Sequence, residues 1–391
     1  MLTSRFPMRP GPFIRFFVAL FSVAAAAQTP TNVRPIQPPE APFPAEKDTA
    51  GVTRFSFVAY GDTRCDCGGA NGSEEVQIEH AKVVDLALAK AAALASTPYP
   101  LRIVIQTGDA VYRGMNAERW DVYIPIIEKL TRAGLWYFLA VGNHDTSTMP
   151  IGDPTREAGL RNVLAANARL MPPDDSPRRL KGYPTYAFGY GNTFFIAIDS
   201  NIASDRTQLE WTTRQLEQLD RARFPNVIAF FHHPIFSSGP HGGAMRPTPD
   251  RSPVPDRTEP QTVAIRSLYT PLFRKHHVRM TLTGHDHLLD HWVERYEDGG
   301  KTLRMDHVVT GGGGAPTYVY NGDPDVHTYE RTYAAQKVQI DHVMKPGERN
   351  VDNPHHFLLI QVDGDKLYLE VFGTGLTDYK PYQGQSRIEL R

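Results

Sequence analysis

The 391-residue sequence predicts an α/β protein whose buried β-sheets are covered by helices. Short apolar runs typical of strands alternate with amphipathic helical segments along most of the chain. Five polar motifs each follow one of these strands, and in an α/β sheet ligands bind beyond the carboxyl ends of the strands. The composition, 41% hydrophobic and 22% charged, is that of an ordinary globular protein with enough apolar residues for a core.

Apolar periodicity and turn residues place the individual elements. The segment Glu74–Ser96 is predicted to be a helix, with Ser73 as its cap and Glu74 and Glu75 at the positive end of its dipole. Tyr186–Asp199 is predicted to be a hairpin that turns near Gly189–Asn192. The other predicted helices are Glu118–Arg132, Thr207–Ala222 and Thr262–Lys275. The other predicted strands are Phe55–Tyr60, Arg102–Gln106, Trp136–Val141, Val227–Phe231, Val278–Thr283, Leu303–Thr310, Phe357–Val362 and Leu367–Phe372.

The N-terminus is predicted to be a secretory signal over residues 1–27. Three arginines precede the apolar run Phe16–Ala27, which ends in alanines and is too short to span a bilayer comfortably. Residues 28–51 are rich in proline and are predicted to be an extended linker or a disordered tail. A single domain over residues 52–391 follows, since no internal repeat or second linker interrupts it.

The charge balance and the cysteine content argue against a nucleic-acid-binding protein and against a disulfide-rich protein. Lys+Arg total 42 and Asp+Glu total 43, so a broad nucleic-acid footprint is not expected. No stretch after the signal is apolar enough to cross a membrane. The only cysteines, Cys65 and Cys67, are one residue apart and do not form a disulfide framework. A bridge between them would close a strained ring, which favours a loop pair without a catalytic role.

The five motifs carry the ligand types of a two-metal site. Carboxylate and amide oxygens with imidazole nitrogens suit hard or borderline metal ions, and two such ions can clamp a phosphate and make hydroxide available near neutral pH. Asp109 is the best candidate for a shared carboxylate, and a glycine before four of the motifs is expected to turn the backbone off the strand. The motifs are Gly61-Asp62, Gly108-Asp109 with Tyr112, Gly142-Asn143-His144-Asp145, His232-His233-Pro234 and Gly284-His285-Asp286-His287.

This ordered set resembles the calcineurin-like metallophosphoesterase superfamily, from about Phe55 to about Phe372, and within it most resembles the purple acid phosphatases. The resemblance implies a four-layer α-β-β-α sandwich. Ordinary members carry a histidine two residues after the first aspartate, where this chain has Arg64. In purple acid phosphatases a tyrosine three residues after the bridging aspartate replaces it, and Tyr112 stands there after Asp109.

The same resemblance implies a ligand for each position of the metal pair. A tyrosinate ligand implies Fe(III) at the first position, and the second would hold divalent Fe, Zn or Mn. The implied ligands of the first metal are Asp62, Tyr112 and His287, those of the second are Asn143, His232 and His285, and Asp109 is shared.

Four residues have implied or alternative roles. His144 is expected to contact the phosphate and help the leaving group depart. His241 has the spacing of a second histidine outside the ligand set, although a histidine in a mobile loop fits the sequence equally well. Arg64 either points at bound phosphate or forms a salt bridge on the rim. Tyr112 has the alternative of a tyrosine packed in a loop.

Two segments without metal ligands are also expected near the rim. Gly311–Gly314 lacks the Lys-Ser/Thr and the following helix of a phosphate-binding loop, and is expected to permit a close backbone turn. The insert Ser237–Gln261, rich in Pro, Arg and Asp, is expected to overhang the site.

His233 and Asp145 are expected to be neighbours of ligands rather than ligands.

The sequence therefore predicts an exported phosphoesterase, periplasmic or extracellular, that hydrolyses small phosphate monoesters. One alternative is a phosphodiesterase acting on nucleotides or on phospholipid or polymer headgroups, because the metal ligands are shared. The other is a secreted binding protein that holds phosphate or metal without turnover, for which Arg64 in place of histidine is the only support.

Overall fold

Two mixed β-sheets form the centre of the protein. The computed structural model describes residues 31–64, 74–247, 253–255, 258–376 and 378–390. In the six-stranded sheet the first three strands in chain order run parallel and the others are antiparallel. Its spatial order is β15 (Arg387–Leu390), β14 (Lys366–Gly373), β13 (His356–Asp363), β1 (Arg54–Tyr60), β2 (Leu101–Gln106) and β3 (Trp136–Leu139).

The second sheet has seven strands, and its central four run parallel. Antiparallel hairpins complete both of its edges, including the predicted hairpin that turns at Gly191. Its spatial order is β12 (Gln339–Met344), β10 (Leu289–Asp298), β11 (Lys301–Thr310), β9 (Met280–Thr283), β6 (Asn226–Phe230), β5 (Thr193–Ala197) and β4 (Tyr186–Tyr190). A separate two-stranded ribbon pairs β7 (Met245–Pro247) with β8 (Pro253–Pro255).

Helices cover the outer face of each sheet and complete four layers. The inner faces of the sheets meet in one apolar core, which includes Phe57, Phe195 and Ile360. A second core lies under the helices of the first sheet, and a third under those of the second sheet. The predicted α-β-β-α sandwich is confirmed. The helices are α1 (Ile78–Leu94), α2 (Ala117–Arg132), α3 (Pro154–Ala166), α4 (Arg206–Glu217), α5 (Pro260–Ala264), α6 (Thr270–Lys275) and α7 (Val326–Thr332).

The strand order explains why the five motifs meet. They follow β1, β2 and β3 of one sheet and β6 and β9 of the other. Within each sheet these strands run parallel, so their carboxyl ends lie at the same edge. The functional loops therefore leave both sheets on one side of the sandwich.

The linker prediction needs correction for residues 31–51. Val33 and Ile36 are buried in the core under α1 and α2, and the Ile36 N–H donates to the carbonyl oxygen of Ala166 at 2.8 Å. The ring of Phe43 packs edge-on against Phe138, with 5.3 Å between the ring centres. The proline-rich segment forms one short 3₁₀ helix, Glu46–Thr49, yet its apolar side chains are sufficient to bind it to the domain.

Helix α1 begins four residues later than the sequence predicts. Its cap is Gln77, which makes no side-chain cap hydrogen bond, and Glu75 lies outside the helix. Glu75 instead forms an ion pair with Arg119 at 3.1 Å and accepts from the Tyr112 N–H at 3.2 Å. Glu75 therefore joins the loop of Tyr112 to helix α2 instead of stabilising the end of α1.

Several sequence predictions fall on residues outside the described part of the chain. These are the signal over 1–27, the proposed cap Ser73, and the pair Cys65 and Cys67. Among the residues that the structure does describe, none of the helices has both the length and the apolar character needed to cross a membrane.

Candidate metal centre

Three predicted ligands have a backbone conformation that L-residues seldom adopt. Asp62, Asp109 and His285 have φ angles of 58°, 53° and 71°, and each comes two or three residues after the last residue of a strand. Such a conformation costs about 1–3 kcal/mol for each residue and persists only where the surroundings enforce it. Strain of this kind clusters at functional sites, and here three such residues follow strands whose carboxyl ends face one side of the sandwich.

The glycines of the motifs mainly allow close approach of neighbouring loops. A Cβ on Gly142 would lie 2.1 Å from Oδ1 of Asp109, and a Cβ on Gly284 would lie 2.1 Å from Oδ2 of Asp62. Only Gly108 has a positive φ, 106°, among the four glycines expected to turn the backbone. The expected sharp turn thus applies to one of the four, whereas Gly142 and Gly284 leave room for carboxylates and Gly61 leaves room for the Thr107 hydroxyl.

The donor atoms of the four implied ligands of the second metal lie close together. Oδ1 of Asn143 lies 2.9 Å from Nε2 of His232 and 3.1 Å from Nδ1 of His285. Nε2 of His232 is also 3.3 Å from Oδ1 of Asp109. Nδ1 of His232 lies 3.0 Å from the carbonyl oxygen of Thr107, to which it donates, so that Nε2 keeps a lone pair for a cation.

The first donor set contains three buried residues from both sheets. Asp62, Asp109 and His287 each place one donor atom within 4.8 Å of the others. Nδ1 of His287 lies 2.8 Å from the carbonyl oxygen of Pro316, and its Nε2 is 3.6 Å from Oδ1 of Asp62. As in His232, a backbone acceptor fixes which nitrogen of the ring faces the site.

Asp109 joins the two sets through its two carboxylate oxygens. Oδ1 faces His232 and accepts the backbone N–H of His144 at 2.9 Å. Oδ2 faces the opposite side, where Nε of Arg64 lies 3.3 Å away. This is the arrangement that a carboxylate bridging two cations needs.

The charges of the site fit bound cations. Burial and the carboxylate of Asp109 raise the pKa of Asp62 well above its usual value. Burial also opposes ionisation of Asp109, but His232, His144 and Arg64 together hold the pKa of Asp109 below its usual value. Two buried carboxylates so close together repel each other, and metal ions would relieve that repulsion. The oxygen and nitrogen donors thus fit two metal ions that share Asp109.

Arg64 lies among the ligands of the first set. Its Nη2 donates to Nε2 of His287 at 3.2 Å, in addition to its ion pair with Asp109. The sequence left two alternatives for Arg64, a contact with bound phosphate or a salt bridge on the rim. The structure shows a salt bridge, but its partner is Asp109 inside the site. The side chain is only 15% exposed.

Tyr112 lies beside the first set. Its ring stacks on His144, with 5.1 Å between ring centres and 24° between planes. The guanidinium groups of Arg64 and Arg113 each lie 5.5 Å from the ring centre. Among the contacts of the described residues, none joins the Tyr112 hydroxyl to Asp62, Asp109 or His287.

His144 stands at the mouth of the site. Its Nδ1 donates to the carbonyl oxygen of Tyr112 at 2.8 Å, which leaves Nε2 4.0 Å from Oδ2 of Asp109. Burial lowers the pKa of His144, and the charge of Asp109 opposes that shift. The ring borders a cavity of about 320 Å³, which is also lined by Tyr112, Asn143 and Met115.

The insert contributes a residue that the sequence did not indicate. Glu259 places Oε2 2.8 Å from Nε2 of His285 and Oε1 2.9 Å from Nδ1 of His241. Its Oε2 is also 3.9 Å from Nε2 of His233. The insert therefore reaches the site as expected, but Glu259 belongs to no motif, and only its long-range contacts identify it.

His233 and His241 are adjacent to the ligands. Glu259, His233 and His285 are close enough to hold a cation on their own. We assign them a supporting role, because Nδ1 of His285 faces Asn143 and His232, and Nδ1 of His233 lies 2.8 Å from the Ser200 hydroxyl. The ring of His241 lies 4.3 Å from that of His285.

Two predicted neighbours hold the rim together. Asp145 accepts the N–H groups of Ala110 and Gly142, both at 2.8 Å, and so joins the second and third loops. Near Gly311–Gly314, the Gly313 N–H donates to the carbonyl oxygen of Gly61 at 2.7 Å. A Cβ on Gly311 would lie 2.9 Å from Oδ2 of Asp62, so the expected close approach is present.

One aromatic residue beside the first set was not predicted. The ring of Tyr318 stacks on His287, with 4.2 Å between centres and 15° between planes. Its N–H donates to the carbonyl oxygen of His287 at 2.8 Å. No motif surrounds Tyr318, so it could not be selected from the sequence.

The comparison with protein families agrees with the fold and the paired donor sets. A family model described as calcineurin-like phosphoesterase matches residues 84–289, more than half of the chain. The chain belongs to this family, whose members bind two metal ions.

The curated relatives are purple acid phosphatases. Purple acid phosphatase 18 of Arabidopsis thaliana is 26% identical over 134 residues, which cover 34% of this chain and 28% of that protein. Purple acid phosphatase 21 of the same plant is 23% identical over 137 residues, 35% of this chain and 30% of that protein. The matched region thus spans less than a third of either relative.

Solved structures share the fold over most of the chain. Purple acid phosphatase PPD1 from yellow lupin has a TM-score of 0.57 and 17% identity over 87% of this chain and 54% of that chain. GAP50, the anchor in the inner membrane complex of Plasmodium, has a TM-score of 0.50 and 13% identity over 87% of this chain and 89% of that chain.

Proposed function

We propose that this protein is an exported acid phosphatase-like enzyme that hydrolyses phosphate monoesters at a two-metal site. The observation that carries the proposal is the placement of Asp109 between the two donor sets. Its Oδ1 lies 3.3 Å from Nε2 of His232 in the second set, and one of its oxygens lies within 4.8 Å of the donor atoms of Asp62 and His287 in the first. Two cations bound there would polarise the ester and make hydroxide available near neutral pH. The rest of the chemistry belongs to the residues around them.

His144 is the proposed acid for the leaving oxygen. Donation from its Nδ1 to the Tyr112 carbonyl fixes the ring, so that Nε2 faces the site. Burial lowers its pKa, but the negative charge of a bound phosphate would favour its protonated form. The cavity beside it has room for the leaving group. His241, whose Nδ1 lies 2.9 Å from Oε1 of Glu259, is the proposed second histidine in contact with the substrate.

The proposed metal identities and the proposed export are based on the sequence. Tyr112 supports Fe(III) at the first position, with divalent Fe, Zn or Mn at the second. The arginines followed by the apolar run Phe16–Ala27 support cleavage of a signal and release to the periplasm or the medium. The curated relatives, which this chain matches in part, are named as purple acid phosphatases, which is consistent with this chemistry.

The decisive test compares esters of one phenol. Purified protein loaded with iron and zinc is assayed on 4-nitrophenyl phosphate and on bis(4-nitrophenyl) phosphate, with Asp109→Asn as the inactive control. We expect faster hydrolysis of the monoester. Faster hydrolysis of the diester would identify a phosphodiesterase, because both activities use the same ligands.

A non-catalytic binding protein is the second candidate. It is favoured by Arg64, whose guanidinium contacts His287 and Asp109 inside the first donor set. The GAP50 fold relative, named as an anchor, is an example of this fold in another role. Stoichiometric metal and phosphate binding without hydrolysis of either ester would establish that function.

A further inference from the structure

Arg64 makes contact with the atoms that the first metal ion would use. Nδ1 of His287 donates to Pro316, so Nε2 holds the only lone pair of that ring available to a metal. Arg64 Nη2 donates to this same nitrogen at 3.2 Å. Its Nε lies 3.3 Å from Oδ2 of Asp109, whereas His232 of the second donor set faces Oδ1. A nitrogen lone pair accepts one partner at a time.

The charge of the guanidinium explains why it is held there. Asp62 and Asp109 are both buried, and a cation between them lowers their mutual repulsion. A guanidinium remains protonated throughout the working range of pH. Arg64 therefore supplies, as part of the chain, some of the positive charge that a metal ion would bring.

The backbone of Arg64 is fixed independently of its side chain. The N–H groups of Thr63 and Arg64 both donate to the carbonyl oxygen of Asp109 at 3.0 Å. The guanidinium faces the ring of Tyr112 at 5.5 Å on its other side. Rotation of the side chain can thus release His287 and Asp109 without a change in the loop.

We propose that Arg64 competes with the first metal ion for Asp109 and His287, so that the two metal ions bind in order. The ion held by Asn143, His232 and His285 binds first and tightly. The ion at Asp62 and His287 binds second and more weakly, because Arg64 must leave before it enters. This inference rests on the metal positions of the proposed function and does not depend on ester hydrolysis.

The test counts metal ions and needs no substrate. Protein freed of metal by chelation is titrated with Zn²⁺ by calorimetry, and bound zinc is counted after dialysis. Wild type should bind one equivalent tightly and a second at least about tenfold more weakly. Arg64→Gln should tighten the second equivalent by about 10- to 100-fold, the value of a hydrogen bond to a charged group, and change the first much less.

Arg113→Gln is the matched control. The Arg113 guanidinium lies at the same 5.5 Å from the Tyr112 ring but is exposed, and none of its described contacts is with Asp62, Asp109 or His287. It should leave both binding steps as in wild type, and Arg64→Lys, which keeps the charge without the planar fork, should give an intermediate second step.

Two results would contradict the proposed competition between Arg64 and the first metal ion. One is equal, tight binding of two ions by wild type with no change in Arg64→Gln. The other is a folded Arg64→Gln protein, judged by circular dichroism, whose second ion binds more weakly. If the protein shows the expected titration but hydrolyses neither ester, the competition is supported and only the proposed function is contradicted.

Discussion

Glu259 holds His285 from the side opposite the metal centre. Its Oε2 lies 2.8 Å from Nε2 of the imidazole, whereas Nδ1 of the same ring faces Asn143 and His232. A carboxylate that accepts from one nitrogen fixes the ring and makes the other nitrogen a better ligand. The insert therefore acts on the metal centre through a ligand that the sequence did identify.

Replacing Glu259 by glutamine should weaken metal binding. The loss of the carboxylate partner of a metal-binding histidine typically costs about 10- to 100-fold in affinity. Competition with a chelator, followed by metal counting, measures the change in Glu259→Gln. The exposed Glu348→Gln serves as a control of equal charge change. Unchanged affinity in Glu259→Gln would mean that Glu259 is only a neighbour of His285.

Replacing His144 by alanine should remove turnover and spare the metal ions. The N–H that bonds to Asp109 belongs to the backbone, so alanine retains it. We expect kcat to fall about 10²- to 10⁴-fold on alkyl phosphates, whose leaving oxygen needs a proton. The fall should be smaller on 4-nitrophenyl phosphate, because nitrophenolate leaves unaided. Equal losses on both esters would contradict the acid role.

The strands and the main helices could be predicted because their apolar residues repeat in the sequence. β1, β2 and the hairpin of β4 and β5 differ from the prediction by one or two residues at one end and agree with it at the other. Helix α3 was missed because its buried face includes polar side chains, Arg156 and Asn162 among them. The Asp153 cap and Pro154 mark the start of this helix, but these two residues could not compensate for its weak apolar periodicity.

The candidate site could be predicted only where ligands occur in motifs. Asn143, His232 and His285 follow strands and were brought together as expected. Glu259 and Tyr318 reach the site from segments without a motif, and their contacts depend on how distant loops fold together. Sequence spacing carries no information about such contacts.

A methyl group on Gly142 should displace the shared carboxylate. A Cβ there would lie 2.1 Å from Oδ1 of Asp109. Gly142→Ala should bind less metal and lose about 1–3 kcal/mol of unfolding free energy through overpacking. Gly51→Ala is the control, since no atom lies within 4 Å of its added Cβ. Thermal unfolding and metal counting give both quantities. Full metal content in Gly142→Ala would show that the loop yields easily.

His80 should make stability depend on pH. Burial lowers the pKa of His80 to about 3, whereas an unfolded histidine titrates near about 6.5. Between these values the unfolded chain binds the extra proton, so stability is complete above pH 6.5 or so and falls as the pH falls. At about pH 5.5 the loss from this one residue is about 1.4 kcal/mol.

Denaturation in urea at several pH values isolates this contribution. His80 Nδ1 lies 2.7 Å from Oε1 of Gln77, and the amide of His80→Asn offers a similar donor. The fall in unfolding free energy between pH 7.5 and 5.5 should be smaller in His80→Asn by about 1.4 kcal/mol. Parallel pH profiles for the two proteins would mean that His80 does not titrate in this way.

The identity of the iron ligand can be settled by comparing two tyrosines. Tyr112 has the spacing of a tyrosinate ligand and lies beside Arg64, whereas Tyr318 stacks on His287. Burial raises the pKa of Tyr318 above its ordinary value, which disfavours the tyrosinate form there. We therefore expect iron-loaded wild type to have a broad visible absorption band that is lost in Tyr112→Phe and retained in Tyr318→Phe. Iron content is measured on the same samples. Loss of the band in Tyr318→Phe alone would transfer the ligand role to Tyr318, and a colourless wild type with bound iron would exclude both tyrosines.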